Sequence, residues 1–217
     1  MANCFVLIGF VALLGSVHCV SECREKKMDI YFLLDSSNSI WIVYYRQMLQ
    51  FVRDVVKQLD INDDFTRVGV VTFSDDYTRP PLALNRSHSQ AQLLRCISEL
   101  NLPYRTGLET NTHLVLKYVR ENNEFRSSAT KVMVVVTDGG SRQPECTARE
   151  AKLAHDKGFY VFVIGIGHYL EESEWRAIAS KPYDRYIMNV TESTPLNYFA
   201  CILPRRACSQ PPIFVGC

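Results

Sequence analysis

The sequence predicts an α/β protein built on an open, mostly parallel sheet with helices on both faces. Apolar runs of strand length recur along the chain: MDIYFLL at 28–34, RVGVVTF at 67–73, KVMVVVT at 131–137 and FYVFVIGIG at 159–167. Continuous runs of this kind mark strands covered on both sides, as in parallel sheets. Between them lie segments with apolar residues at helical spacing, and the alternation implies right-handed βαβ units.

In chain order, the strand at 28–34 leads into a helix over 40–59, with Ile42, Met48, Leu49, Phe51, Val52, Val55, Val56 and Leu59 on one period. After the strand at 67–73, TRPPLAL (78–84) contains two prolines and fits an edge or irregular strand. Segments 89–100 and 112–120 read as helices, and 131–137 is the strongest buried strand in the chain. A helix over 147–157 should stop before Gly158, a residue suited to a C-cap. A strand at 159–167, a helix at 171–180, a short strand in RYIMNV (185–190) and a helix at 195–202 complete the series. The remainder, 204–217, is rich in Pro and Cys without periodicity and is expected to be extended and pinned by disulfides.

Of 217 residues, 47% are hydrophobic and 22% charged, enough chain for one well-buried core. A formal net charge of +1, with both signs interspersed, argues against a nucleic-acid or polyanion binder. CFVLIGFVALLGSV (4–17) is apolar, uncharged and too short to span a bilayer comfortably. It reads as the core of a signal peptide over 1–20, cleaved near 19–21, ahead of a short segment 21–27 that holds Cys23. No later stretch is apolar enough for a membrane helix, so the mature product is expected to be secreted. Of eight cysteines, Cys4 and Cys19 fall in or beside the leader, leaving Cys23, Cys96, Cys146, Cys201, Cys208 and Cys217 as disulfide candidates. Sequons at Asn85 and Asn189 are candidates for N-glycosylation. His113, His155 and His168 lack metalloenzyme spacing and read as surface or satisfied residues, while Trp41 and Trp175 read as packing residues.

Two strands end alike. Asp35 closes the first apolar run and precedes Ser36, Ser37, Asn38 and Ser39; Asp138 closes KVMVVVT and precedes Gly139, Gly140 and Ser141. In an open α/β sheet, ligands bind outside the carboxyl ends of strands where the strand order reverses. Two carboxylates meeting there repel, and one protonates unless a cation lies between them. Hydroxyls at Ser37 and Ser39 add neutral oxygens, and such a set suits Mg²⁺, Mn²⁺ or Ca²⁺ better than Zn²⁺.

DSSNS (35–39) resembles the DxSxS motif of von Willebrand factor type A domains, called I domains in integrins. ETNT (109–112) resembles the segment with that family's metal-binding threonine, which falls on Thr110, and VVVTDGGS carries its second aspartate at Asp138. The resemblance runs over 28–202 and leaves 203–217 as a Cys/Pro-containing tail. It implies a Rossmann-like, doubly wound sheet of six strands ordered 3-2-1-4-5-6, with one antiparallel edge strand that 78–84 would supply. It also implies a metal-ion-dependent adhesion site (MIDAS) formed by Asp35, Ser37, Ser39, Thr110 and Asp138. Mg²⁺ is the ion expected there, with Mn²⁺ or Ca²⁺ as substitutes, and its open position would accept an acidic side chain from a partner protein. Each residue alone also has an ordinary reading: Ser37, Ser39 or Thr110 as a helix cap, Asp138 as a turn residue.

The layout looks most like the A domains of matrilins, cochlin and similar matrix proteins. In several of those, flanking cysteines join the domain's ends, which implies a Cys23–Cys201 bridge. The residues alone leave about 15 pairings open, and Cys208 or Cys217 could pair between chains. The span 138–147 is too short for the extra helix of collagen-binding integrin domains, and Gly140 stands where many of them are acidic. The expected partner is an extracellular matrix protein, collagen-like or otherwise, with fibrillar collagen disfavoured. The alternative is a structural matrix protein assembling through disulfides and cation binding. A Mg²⁺-dependent hydrolase is the weakest reading, because Asp35 has no second Asp at +2 and no GxSxG, Walker loop or general base is present. The chain is expected not to be an enzyme.

Overall fold

The computed structural model describes residue 23 and residues 25–77, 82–84, 89–100, 107–121, 124–166, 172–191 and 193–213 of the 217-residue chain. The expected leader, Asn85, His168 and Cys217 lie outside these residues. Strands β1 (Met28–Asp35), β2 (Thr66–Phe73), β3 (Thr130–Thr137), β4 (Phe159–Gly165) and β5 (Ile187–Asn189) form one parallel sheet ordered β2-β1-β3-β4-β5. The helices are α1 (Ile42–Val56), α2 (Gln90–Glu99), α3 (Thr112–Glu121), α4 (Pro144–Asp156), α5 (Glu172–Ile178), the single turn α6 (Tyr183–Tyr186) and α7 (Phe199–Cys208). Helix α1 packs beside α2 and α7, while α4 packs beside α3 and α5, so the helices form two groups. Between them, β1, β3 and β4 are buried along almost their whole length, which is why their sequences are apolar rather than alternating.

In place of a sixth, antiparallel strand, the described residues show two isolated antiparallel bridges to β2, Val70–Leu82 and Phe73–Tyr77. Leu82 and Val70 exchange backbone hydrogen bonds of 2.8 and 2.9 Å on the outer edge of β2. Pro80 and Pro81 precede Leu82 and have no N–H to extend a ladder. Residues 78–81 lie outside the described residues.

The first strand is not uniformly apolar. Asp29 is fully buried near its amino end, where Arg67 binds both carboxylate oxygens at 2.9 and 2.7 Å. Arg126 adds a backbone N–H at 2.7 Å and its side-chain Nε–H at 3.1 Å. The same guanidinium caps the carbonyls of Asp63, Met28 and Phe65, so charge and hydrogen-bonding capacity are satisfied together.

The carboxyl-terminal region departs from expectation. Helix α7 continues through Pro204 to Cys208 in place of an extended tail from 204. A proline inside a helix leaves the carbonyl four residues earlier without its donor. Here that carbonyl, Ala200, receives Gln58 Nε2 at 2.8 Å instead. The helix then delivers Gln210 to the amino end of β3, where Thr130 Oγ1 donates to its carbonyl at 3.1 Å. Cys23, just ahead of β1, lies at that same end of the sheet and bonds to Cys208, not to Cys201. Cys201 sits about two helical turns earlier and is free and half-buried, like Cys96 and Cys146.

The strand order reverses between β1 and β3, so the crevice outside their carboxyl ends is the natural ligand position of the sheet. Asp35 ends one of these strands and Asp138 follows the other.

Candidate metal centre

Register places Asp35 beside the end of β3, with Leu34 paired to Val136. Thr137 Oγ1 donates to Asp35 Oδ2 at 2.7 Å, and the Ser37 N–H donates to Oδ1 at 2.9 Å. Ser36 turns the other way, its N–H and hydroxyl both donating to the Phe73 carbonyl at 2.8 and 3.0 Å. The chain is thereby held against both neighbouring strands before it enters α1.

Ser37 and Ser39 share a hydrogen bond of 2.9 Å between their hydroxyls, and Ser39 donates to Asp138 Oδ1 at 3.0 Å. Neither serine caps a helix. The N-cap of α1 is Trp41, which makes no side-chain capping bond. The serines therefore belong to a polar chain running from the loop after β1 to the loop after β3.

Thr110 is carried on a third loop fixed by backbone contacts to both neighbours. Ser37 and Gly107 form a parallel bridge. Ser74 Oγ donates to the Glu109 carbonyl at 2.9 Å, and the Glu109 N–H donates to Asp75 Oδ1 at 2.6 Å. On the other side, the Arg142 N–H donates to the Thr110 carbonyl at 2.8 Å. A Cβ at Gly107 would come within 2.3 Å of the Asp75 carboxyl carbon, so this approach requires glycine. The Thr110 hydroxyl has no hydrogen-bond partner among the described residues, and Thr110 is not acting as a cap. The loop after β3 is braced by buried Glu174, whose Oε2 accepts from the Ser141 N–H at 2.8 Å. Thr137, Ser74 and Glu174 were not recognisable as site residues from sequence, because common polar residues on separate elements carry no local motif.

Burial pushes the Asp35 carboxyl up to about 6, against the Ser37 and Thr137 hydrogen bonds that favour its charged form, and the Asp138 charge adds to the rise. Burial also raises Asp138, opposed by Ser39. Among the described residues no Lys or Arg pairs with either carboxylate, and no three His, Cys, Asp or Glu side chains converge as a metal cluster. Two carboxylates and nearby hydroxyls, packed without a cationic side chain, fit a hard divalent ion.

A model of the von Willebrand factor type A domain matches residues 29–200, and the chain belongs to that family. The collagen alpha-1(XX) chain of Mus musculus is 33% identical over 187 residues, covering 84% of this chain and 14% of the relative. Matrilin-1 of Mus musculus is 32% identical over 174 residues, covering 76% of this chain and 33% of the relative. The chain thus spans a third or less of these relatives' lengths. A structure of proximal thread matrix protein 1 from the mussel byssus, described as having a zinc-occupied MIDAS motif, superposes with a TM-score of 0.74 at 26% identity, over 85% of this chain and 46% of that one. Manganese-loaded TRAP protein of Plasmodium vivax shares the fold at a TM-score of 0.68 and 19% identity, over 87% of this chain and 75% of that one.

Two side-chain expectations change. Trp175 is buried, but Trp41 is 68% exposed. His113 Nδ1 and His155 Nε2 are shielded without hydrogen-bond partners among the described residues, although His155 also hydrogen-bonds the Ile178 backbone. Asn189, a glycosylation candidate, is half-buried at the end of β5, with its amide oxygen shielded and without a partner among the described residues.

Proposed function

We propose that this chain is a secreted matrix or adhesion module that captures an extracellular protein through a divalent cation held by Asp35, Ser37, Ser39, Thr110 and Asp138. The observation that carries the reading is the hydroxyl chain from Ser37 through Ser39 to Asp138, ending beside a buried Asp35 that has only neutral donors. The capping alternative leaves that arrangement without a cause. When bound, the cation neutralises the two carboxylates and offers a coordination position to an acidic side chain of the partner. Mg²⁺ is the resident ion we favour, with Mn²⁺ or Ca²⁺ as substitutes, and the zinc-occupied mussel relative makes Zn²⁺ an ion to test. The matrix relatives support extracellular localisation and a non-enzymatic role.

A second reading, assembly by disulfides between chains, draws on the unpaired Cys96, Cys146 and Cys201. Disulfide-linked multimers on a non-reducing gel would favour it.

The test is a binding screen of the secreted protein against matrix components in Mg²⁺, Mn²⁺, Zn²⁺ or EDTA, with Asp138→Ala in parallel. Binding that needs a cation and is lost in the variant supports the reading. Binding equally strong in EDTA and in Asp138→Ala contradicts it.

A further inference from the structure

Most large apolar side chains in this fold are buried, and the exceptions are unevenly placed. Among the described residues, the exposed ones are Leu108 (78%), Trp41 (68%), Tyr198, Val43, Leu153 and Ile213. Leu153 lies on α4, and Tyr198 and Ile213 lie near the carboxyl end of the chain. The other three lie within a few residues of the candidate cation ligands along the chain. Trp41 follows Ser39 by two residues, Val43 lies in the first turn of α1, and Leu108 precedes Thr110 by two. The Ser37–Gly107 bridge sets the loops carrying Trp41 and Leu108 side by side.

Neither Trp41 nor Leu108 serves the fold. Trp41 stands at the N-cap of α1 without a capping bond, where a short polar residue would stabilise the helix. Leu108 lies on a loop whose contacts are made by the backbone of Glu109 and Asn111, and its own side chain faces water. Scattered surface hydrophobics are ordinary, whereas exposed apolar residues grouped within a polar rim mark an interaction surface. A charge contact gains strength when apolar neighbours exclude water from it, the arrangement found at protein interface hot spots.

We infer that Trp41 and Leu108 form an apolar collar beside the cation site, and that the partner presents its carboxylate flanked by bulky apolar side chains. The occupant is a segment of another protein in which a Glu or Asp lies between residues such as Leu or Phe. This rests on the cation reading above and goes further, because the ion alone would accept any accessible carboxylate. The collar makes the residues beside that carboxylate matter.

The test uses the full mature chain with Mn²⁺ and two dye-labelled, end-blocked peptides, Gly-Leu-Glu-Leu-Gly and Gly-Ser-Glu-Ser-Gly, read by fluorescence anisotropy. Mn²⁺ affinity is measured separately by calorimetry. The Leu-flanked peptide should bind at least about tenfold tighter to wild type, a difference well within what apolar burial supplies. It should also shift the emission of Trp41, the exposed one of two tryptophans, to shorter wavelength. Trp41→Ser and Leu108→Ser, separately and together, should remove that preference while Mn²⁺ affinity is unchanged. Failure of the Leu-flanked peptide to bind the Mn²⁺-loaded protein, equal binding of both peptides, or a preference that survives the double variant overturns the collar. Loss of self-association in Trp41→Ser, seen by light scattering, would overturn it in favour of a second copy of this chain. If wild type does not bind Mn²⁺, the cation reading itself fails and the collar falls with it; intact Mn²⁺ binding without peptide preference sinks the collar alone.

Discussion

Asp29 and Asp35 lie near opposite ends of β1, and both are fully buried. Around Asp29, two guanidinium groups and a backbone N–H take up both carboxylate oxygens. Around Asp35, the donors are a threonine hydroxyl and a backbone N–H, and the charged neighbour is another carboxylate, Asp138. The residue type, strand and burial are the same. What differs is whether the protein supplies the compensating charge. At the amino end it does, and the aspartate closes the fold together with the Cys23–Cys208 bridge. At the carboxyl end it does not, which leaves Asp35 either to protonate or to draw a compensating charge from solution.

Substitutions at the two ends should therefore behave in opposite ways. The largest effect is expected for Asp29→Ala, which strands two arginines; breaking a buried pair of this kind costs about 3–5 kcal/mol. Thermal unfolding should register it as a fall of roughly 10 °C. A stability within about 1 kcal/mol of wild type would mean that solvent, and not Asp29, satisfies Arg67 and Arg126.

Next comes the bridge that seals the same end. Cys208→Ser should cost roughly 2–5 kcal/mol, since the disulfide spans 185 residues. Cys201→Ser should leave denaturant midpoints unchanged. The reverse ranking would restore the Cys23–Cys201 pairing that the resemblance implied.

Asp35→Asn should do the opposite of Asp29→Ala. Asparagine can still accept from the Ser37 N–H, and the Thr137 hydroxyl can turn to accept from the new amide. In EDTA its melting temperature should equal or exceed that of wild type, because a buried, uncompensated charge has gone. The stabilisation by saturating Mg²⁺ should vanish; for wild type it is about 2.7 kcal/mol at 100 times Kd. Marked destabilisation in EDTA would make Asp35 structural.

The smallest stability change is expected for Ser39→Ala, within about 0.5 kcal/mol in EDTA. Ser39 is exposed and caps no helix. Its cation affinity should nonetheless fall by tenfold or more, a split that separates ligand from scaffold.

The carboxyl end of β1 was the more legible of the two in sequence. Asp35, Ser37 and Ser39 form a local motif, and Asp138 repeats its logic after the strongest apolar run. The amino end was hidden, because the partners of Asp29 lie 38 and 97 residues away and Arg67 and Arg126 belong to no motif. MDIYFLL was read as apolar throughout for that reason. The helical pattern in the sequence ends at 202, and the distant Gln58 is what lets α7 run on through Pro204. Trp41 was read as packing because helical periodicity sends apolar residues inward. An N-cap precedes the first turn, so its side chain is free of that rule. The sheet and site motif were legible because local pattern determines them, and long-range charge pairing was not.

The most direct test is calorimetric titration of Mg²⁺ and Mn²⁺ into the EDTA-stripped mature chain, with Asp35→Asn and Asp29→Asn alongside. One saturable site in wild type and in any folded Asp29→Asn protein, but none in Asp35→Asn, is the predicted result. Equal binding by wild type and Asp35→Asn, or no binding by wild type, would contradict the view that the carboxyl end of β1 is built for an ion.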